Sequence, residues 1–228
     1  MIRFLYLFLL AALAADCGGS ARRPEPATER PQTGPERAPE VVDSRPVVAA
    51  LGDSLTAGLG VAPDQSYPAK LQKKVDAGGY RYRVVNAGVS GDTSAQGLNR
   101  LGVVRDEHPE IVIVALGGND GLRGLPVAET RRNLEAIIDR LTEDRARVVL
   151  AGIEVPPNYG PEYTAAFRGM FRDLAREHRV AFVPFLLEGV AGHAALNLED
   201  GIHPSARGYD IVTENVWKVL EPLLRRPR

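Results

Sequence analysis

Four short segments of the chain combine a potential nucleophile, a potential base and several hydrogen-bond donors. Ser54 supplies a hydroxyl, His203 an imidazole and Asp200 a carboxylate. A serine hydroxyl is a weak nucleophile at neutral pH, and an imidazole, whose reference pKa is about 6.5, can take and return its proton. Because Asp200 lies only three positions before His203, one turn of a loop can bring the carboxylate against the ring and fix its tautomer. These residue types and this spacing predict acyl transfer through an activated serine.

Acyl transfer also needs hydrogen-bond donors for the negative charge that develops on the substrate carbonyl oxygen. The backbone N–H groups of Ser54 and Gly88 and the side-chain amide of Asn119 are the donors that we expect to form this oxyanion hole. Gly88 suits the position because backbone without a Cβ atom can approach the reacting carbonyl closely. Asp53 is interpreted as a cap or turn residue, since His203 already supplies the base.

The four histidines differ in the roles that their surroundings predict. His108 precedes a proline at a predicted helix end. His178 falls in the last turn of a predicted helix, where an imidazole can interact with the helix dipole. Both are therefore interpreted as structural. His193 lies in a polar segment shortly before Asp200 and is the alternative base to His203.

Short β-branched runs alternate with longer amphipathic stretches along residues 46–228. The runs are bounded by Gly, Pro or Asn, as strands are, and cover residues 47–51, 82–85, 111–116, 148–153 and 180–183. The stretches between them place apolar residues at the spacing of a helix face: Leu134, Ile137, Ile138 and Leu141; Phe167, Met170, Phe171 and Leu174; Val212, Val216, Val219 and Leu223. This alternation predicts a three-layer α/β/α sandwich with a five-stranded parallel sheet. Because the loops that follow parallel strands lie along one sheet edge, we expect four residues to meet there: Ser54, Gly88, Asn119 and His203.

The polar segments resemble the sequence blocks of the SGNH hydrolases, also called GDSL esterases or lipases, and they occur in that family's order. The resemblance covers residues 47–224 and is greatest to the exported bacterial thioesterases, lysophospholipases and arylesterases. The matching segments are residues 52–58 (GDSLTAG), 86–93 (NAGVSGDT), 116–120 (LGGND), 156–160 (PPNYG) and 200–204 (DGIHP). Several such blocks in the family's order are far more specific than one four-residue match.

The resemblance implies a flavodoxin-like SGNH hydrolase fold and a role for each block. It implies that Ser54, Asp200 and His203 form a catalytic triad, with Ser54, Gly88 and Asn119 as the oxyanion hole. It also implies that Pro156, Asn158 and Tyr159 line the acyl pocket, although a rigid turn is an equal alternative for this segment. No cofactor and no metal are expected.

Composition excludes several classes of protein. The chain has 28 basic and 29 acidic residues, and its net charge of −1 argues against a nucleic-acid partner. Its single cysteine, Cys17, allows neither an internal disulfide nor a cysteine metal cluster. Hydrophobic residues make up 44% of the chain, as in soluble globular domains, so one folded domain is expected.

The first 45 residues differ from the rest of the chain. Residues 1–20 contain an apolar run too short to span a bilayer and are predicted to be an export signal. Cys17 follows this run, as the lipidated cysteine does in bacterial lipoproteins, but Asp16 stands where that motif prefers a small residue. Lipidation and simple secretion both stay open. Residues 21–45, rich in Pro, Glu and Arg, are predicted to be a disordered linker, and residues 46–228 the hydrolase domain.

The sequence thus predicts an exported, monomeric serine esterase in the periplasm or cell envelope, tethered to the membrane if Cys17 is lipidated. Its expected substrates are small acyl esters, thioesters or lysophospholipids. Two alternatives on the same fold stay open, namely an envelope acyltransferase and a non-catalytic module that binds lipid or glycan. Acyl chain length and head group depend on loops whose conformations one sequence does not specify.

Overall fold

The computed structural model describes residues 43–226. The predicted export signal, Cys17 and nearly all of the predicted linker lie outside the described residues. Within residues 43–226, no helix has both the length and the apolar character that crossing a membrane requires.

A parallel sheet of five strands forms the centre of the domain, in the order β2-β1-β3-β4-β5. The three inner strands are almost entirely buried, because helices cover both faces of the sheet and only apolar side chains fit there. The outer strands, β2 and β5, are partly exposed. The strands are β1 (Val47–Gly52), β2 (Arg83–Gly88), β3 (Ile111–Ala115), β4 (Arg147–Ala151) and β5 (Ala181–Val183).

Helices pack on both faces of this sheet, so the predicted three-layer α/β/α architecture is confirmed. On one face α2 packs against α8, and on the other α6 lies between α3 and α7. The three predicted apolar stripes fall on α6, α7 and α8, except that Leu223 lies in a 3₁₀ turn beyond α8. The helices are α1 (Ser54–Ala57), α2 (Tyr67–Ala77), α3 (Ser94–Asn99), α4 (Leu101–Arg105), α5 (Gly118–Leu122), α6 (Val127–Glu143), α7 (Pro161–His178) and α8 (Ala206–Leu220).

The strand order places a ligand site at the carboxyl ends of β1 and β3. The chain continues from β1 to β2, which lies on one side of β1, and later crosses to β3, which lies on the other side of β1. The loops that follow β1 and β3 therefore run in opposite directions. A crevice therefore opens between the loops that follow Gly52 and Ala115, which are register partners at the strand ends. These loops carry Ser54 and Asn119.

The second strand differs most from the prediction, because it continues to Gly88 instead of ending at residue 85. Asn86, Ala87 and Gly88 pair in register with Ala50, Leu51 and Gly52 of β1. The loop at the crevice therefore starts at residue 89, three positions later than the turn-forming residues Asn and Gly indicated.

Candidate active site

Ser54 begins a one-turn helix, α1, that hydrogen bonds hold from several sides. Asp53 caps it, since Oδ1 accepts the Leu55 N–H at 3.0 Å. The Tyr209 hydroxyl donates to the Leu55 carbonyl at 2.9 Å, and Asn86 Nδ2 donates to the carbonyl of Thr56 at 3.0 Å. A single helical turn has few internal bonds, so these tertiary contacts determine where Ser54 lies.

Three side chains from distant positions form a continuous hydrogen-bonded chain. His203 Nε2 lies 2.9 Å from Ser54 Oγ, and His203 Nδ1 lies 2.6 Å from Asp200 Oδ2. With the proton of the ring on Nδ1, the carboxylate accepts it and Nε2 is left to accept from the serine. This order of hydroxyl, imidazole and carboxylate is the geometry of a general-base-activated serine nucleophile.

Local hydrogen bonds, several of them to the Asp200 side chain, shape the loop that carries Asp200 and His203. Asp200 Oδ1 accepts the N–H groups of Ile202 at 2.9 Å and His203 at 3.0 Å, and the Leu198 N–H donates to the His203 carbonyl at 2.8 Å. The hydrogen bonds from His203 to this carboxylate hold the pKa of Asp200 at about 2, below its usual range. Asp200 is therefore a carboxylate wherever His203 can act as a base.

The structure contradicts the predicted oxyanion role of Gly88. Its N–H donates to Asn86 Oδ1 at 2.9 Å, and the residue lies inside β2. A Cβ atom there would lie 2.2 Å from the backbone nitrogen of Ala57. Gly88 is therefore required for the close approach of β2 to α1, and the amide donor expected from this loop has to come from elsewhere.

Gly91, three residues further along the same block, has a backbone N–H at the cleft end of the loop and was not selected from the sequence. It lines the cleft around Ser54 together with Ser90 and Asn119. Gly91 occupies the third position of a turn closed by the Asp92 N–H and the Val89 carbonyl at 3.2 Å, and its φ of 88° makes this a type II turn. The Ser-Gly pair, a common turn dipeptide, was the available signal.

Asn119 lies at the start of α5 with its amide at the cleft. Its Nδ2 donates to the Asp92 carbonyl at 2.9 Å and lies 3.4 Å from Asp53 Oδ2. The preceding Gly117 has a φ of 109°, a conformation that turns the chain sharply from β3 into α5 and that side chains rarely adopt. The contact with Asp53 is long, so the second amide hydrogen is available to a substrate oxygen.

Asp120 is a buried carboxyl group whose role the sequence did not indicate. Its Oδ2 accepts the N–H of Ser94 at 2.7 Å, and its Oδ1 accepts the hydroxyl of Thr130 at 3.2 Å. These bonds join α5 to the first residue of α3 and to α6. Asp120 thereby holds together the segments that carry Gly91 and Asn119.

The cleft around Ser54 is a small, largely apolar space of about 270 Å³. Leu59, Leu122 and Ile202 line it and are 45%, 39% and 44% exposed. Large aliphatic side chains exposed together around one opening are characteristic of a binding surface for an apolar group.

Pro156, Asn158 and Tyr159, which the resemblance assigned to the acyl pocket, do not line this cleft. The chain leaves β4 and forms a 3₁₀ turn at Pro157–Tyr159 that leads directly into α7, so the segment lies behind the cleft wall. Tyr159 contacts the wall, since its hydroxyl donates to the carbonyl of Leu122 at 2.6 Å.

The other three histidines lie away from Ser54. His108 follows α4 with a φ of 46°, and His193 precedes a 3₁₀ turn. His178 ends α7, with Nδ1 3.2 Å from an oxygen of Asp139 on α6. Within residues 43–226, no group of three or more His, Cys, Asp or Glu side chains has an arrangement suited to a metal ion.

Asp53 is a buried carboxyl group whose ionisation opposes folding. Burial raises its pKa from 3.8 to about 6. In the unfolded chain the group ionises near pH 4, whereas the folded chain holds its proton to about pH 6. Its favourable contribution to folding is therefore complete below about pH 4 and is lost as the pH rises through 6.

We expect Asp53→Asn to remove this pH dependence, because the amide cannot ionise yet keeps an oxygen for the Leu55 N–H. At pH 7.5 the free energy of unfolding should increase by up to about 3 kcal/mol relative to the wild type. Urea unfolding of both proteins between pH 4 and 8 measures the difference. A stability difference equal at pH 4 and pH 7.5 would contradict the assignment.

Comparisons with known proteins agree with this geometry. The model of the GDSL-like Lipase/Acylhydrolase family matches residues 50–211. The chain is 46% identical over 175 residues to Esterase TesA of Pseudomonas aeruginosa, covering 76% of this chain and 87% of that one. It is 39% identical over 175 residues to Thioesterase 1/protease 1/lysophospholipase L1 of Escherichia coli K12, covering 76% of this chain and 83% of that one.

Solved structures show the same fold. The crystal structure of TesA superposes with a TM-score of 0.76 at 45% identity, covering 78% of this chain and 99% of that one. The matched family region contains Ser54, Asn119, Asp200 and His203, the residues that meet at the carboxyl edge of the sheet. On this sequence and structural evidence, the chain belongs to the GDSL-like lipase/acylhydrolase family.

Proposed function

We propose that this protein hydrolyses acyl esters or thioesters through an acyl-serine intermediate on Ser54. The observation that carries the proposal is the hydrogen-bonded chain from Ser54 Oγ through His203 to Asp200, with distances of 2.9 and 2.6 Å. His203 Nε2 takes the hydroxyl proton as the serine oxygen attacks the carbonyl carbon. The imidazolium then protonates the departing alcohol or thiol, which leaves the acyl group on the serine.

Water completes the cycle by the same route. His203 takes a proton from water, the resulting hydroxide attacks the acyl-serine, and the proton returns to Ser54 as the free carboxylic acid leaves. Asp200 stays ionised throughout and stabilises the imidazolium. The chemistry needs no cofactor, because every proton is exchanged between the substrate, water and these side chains.

The oxyanion would be held by the backbone N–H groups of Ser54 and Gly91 and by the amide of Asn119. Neither backbone N–H donates a hydrogen bond to another of residues 43–226, and all three residues line the cleft. Donors fixed before the substrate arrives need no reorganisation when charge develops, which is the basis of their catalytic effect.

The substrate class follows from the cleft and from the relatives. Leu59, Leu122 and Ile202 offer aliphatic surface to an acyl chain, and burying each methylene of that chain contributes about 0.8 kcal/mol. The relatives are named as an esterase and as a thioesterase and lysophospholipase. Acyl esters, thioesters and lysophospholipids are therefore the substrates that we propose for this chain.

The cellular setting is a proposal based on the sequence. The apolar run within residues 1–20 and the Pro-rich stretch that follows it support export to the periplasm or cell envelope, with Cys17 as a possible site of lipid attachment. Mass spectrometry of the mature protein would distinguish a lipidated Cys17 from an N-terminus produced by simple cleavage.

A series of 4-nitrophenyl esters from acetate to laurate tests the proposed reaction. We expect turnover with release of the free acid, and an increase of kcat/KM with chain length until the apolar rim is filled. Repeating the assay with added alcohols identifies the acceptor. A product that is mainly the new ester at low alcohol concentration would identify an acyltransferase, and ligand binding without turnover would identify a binding module.

A further inference from the structure

Arg123 makes a contact that the proposed reaction does not use. It is the C-cap residue of α5, and its Nη2 donates to the Gly91 carbonyl at 3.0 Å. The guanidinium thus spans from the end of α5 to the turn in which Gly91 lines the cleft. Arg123 itself does not line the cleft.

Gly91 itself lies at the open side of the turn, next to the buried Asp92. A Cβ atom on Gly91 would meet nothing within 4 Å. Hydrogen bonds hold the two ends of the turn, since the Val89 N–H donates to the Gly52 carbonyl at 3.0 Å and Arg100 donates to the Asp92 carboxylate. Two more hold the peptide between Gly91 and Asp92, and a third holds the carbonyl that follows it. The Asp92 N–H donates to Val89, and the Gly91 carbonyl accepts from Arg123. The carbonyl of Asp92 accepts from Asn119 at 2.9 Å.

Two of these bonds come from the same helix. Asn119 lies in the first turn of α5 and Arg123 caps its end, and the Arg123 N–H donates to the Asn119 carbonyl at 3.1 Å. One short element therefore sets the spacing between the side-chain donor Asn119 and the backbone donor Gly91. Without Arg123, the Gly91 carbonyl would lose its side-chain partner, whereas Val89 and Asp92 at the two ends of the turn would keep theirs, so the loss would fall on the peptide at Gly91.

The segment around Arg123 is itself anchored on both sides. The hydroxyl of Tyr159 donates to the Leu122 carbonyl at 2.6 Å, and the hydroxyl of Tyr163 donates to the Leu125 carbonyl at 2.8 Å. Tyr163 stacks on Phe167 with ring centroids 5.9 Å apart, and Phe167 is fully buried. The guanidinium therefore extends from backbone that is fixed to the core, which lets it hold the turn.

We propose that Arg123 is a positioning residue that holds the Gly91 turn at the oxyanion hole. The inference rests on the proposed function, because the turn matters only if the Gly91 N–H stabilises an oxyanion. Loss of a complete donor costs about 100-fold or more in kcat, and a donor displaced by a fraction of its bond length costs less. The effect of Arg123 should fall on kcat, since the oxyanion forms only in the transition state.

The test compares Arg123→Met and Arg123→Lys with Arg172→Met, an exposed arginine on α7, as the matched control. With a neutral 4-nitrophenyl ester we expect Arg123→Met to lower kcat about tenfold with little change in KM. Arg123→Lys should recover part of the loss, the melting temperature should stay within a few degrees, and Arg172→Met should match the wild type.

A double-mutant cycle shows whether Arg123 acts through Gly91. Gly91→Ala disfavours the positive φ of the type II turn, and the alternative type I turn rotates the Ser90–Gly91 peptide so that its N–H leaves the cleft. Gly91→Ala should lower kcat about 100-fold, and adding Arg123→Met to it should change kcat less than twofold.

Three results would overturn the proposal. These are an unchanged kcat in Arg123→Met, losses that multiply in the double variant, or a loss confined to KM for anionic thioesters, which would make Arg123 a head-group contact. Labelling of Ser54 by a fluorophosphonate in every variant separates these outcomes from a failure of the proposed function, because absent labelling in the wild type would reject the serine mechanism itself.

Discussion

Ser54→Ala is expected to lower kcat for an acyl ester by on the order of 10⁵-fold or more, the largest effect that any single substitution in this chain should have. The hydroxyl is the atom that forms the acyl-enzyme, and no neighbouring group can take its place at the 2.9 Å contact with His203. The oxyanion donors and the apolar cleft stay in the variant, so a residual rate above that in water is expected. Single-turnover and steady-state kinetics on 4-nitrophenyl butyrate measure the loss.

The same variant also provides the control for covalent chemistry. A fluorophosphonate should add one phosphonyl group to the wild-type peptide containing Ser54 and none to Ser54→Ala. Because the only side-chain partner of the Ser54 hydroxyl within residues 43–226 is His203, circular dichroism and melting temperature should change little. Wild-type turnover by folded Ser54→Ala would remove Ser54 from the mechanism.

The fold was predictable because its signals are local and repeated. β1, β3 and β4 read as continuous apolar runs, and strands of that kind occur where helices cover both sheet faces. The stripe of Leu134, Ile137, Ile138 and Leu141 is buried on α6, as its spacing indicates. The ends of the strands were predicted less accurately, because the residue at which a strand ends depends on tertiary hydrogen bonds made by its last side chains.

The error at Gly88 follows from this limit. Asn86 and Gly88 look like turn residues, yet Asn86 uses both ends of its amide inside β2, donating to Thr56 and accepting from Gly88. These contacts extend the strand by three residues and transfer the turn to Gly91. Sequence composition cannot reveal a hydrogen bond to a helix 30 positions away, so it could not show that the Gly88 N–H is already bonded inside β2.

The sequence did not indicate the residues that line the cleft around Ser54, and the acyl-pocket role of Pro156, Asn158 and Tyr159 stays a prediction. Tyr159 does lie near the cleft, but its direct contact is the carbonyl of Leu122, so its influence passes through the cleft wall. The residues that line the cleft, such as Leu59 and Ile202, look unremarkable in the sequence, because single aliphatic residues in loops carry no periodic signal. These residues form one apolar surface because three distant segments of the chain meet at the cleft, and only the tertiary structure shows that they meet.

Asp200→Asn is expected to lower kcat by on the order of 10³-fold. The amide nitrogen of an asparagine donates hydrogen bonds and cannot accept them. When this nitrogen faces His203 Nδ1, the ring carries its proton on Nε2, and Nε2 can no longer accept the hydroxyl proton of Ser54. Comparable substitutions at a buried carboxylate cost about 10⁴-fold. The Asp200 side chain is 44% exposed, so water can replace part of the lost contact and the expected loss is smaller.

The pH profile distinguishes this tautomer effect from loss of structure. The pKa of Asp200 is about 2, because His203 and Ile202 donate hydrogen bonds to its carboxylate, and the wild-type group therefore stays ionised from pH 5 to 9. No transition of the wild-type pH profile between pH 5 and 9 should therefore arise from Asp200 itself. Glu199→Gln, which removes the adjacent exposed carboxylate, is the matched control and should retain wild-type kcat. If Asp200→Asn stayed within tenfold of the wild type, the imidazole would not depend on Asp200 for its orientation, and the backbone of the loop alone would have to hold it.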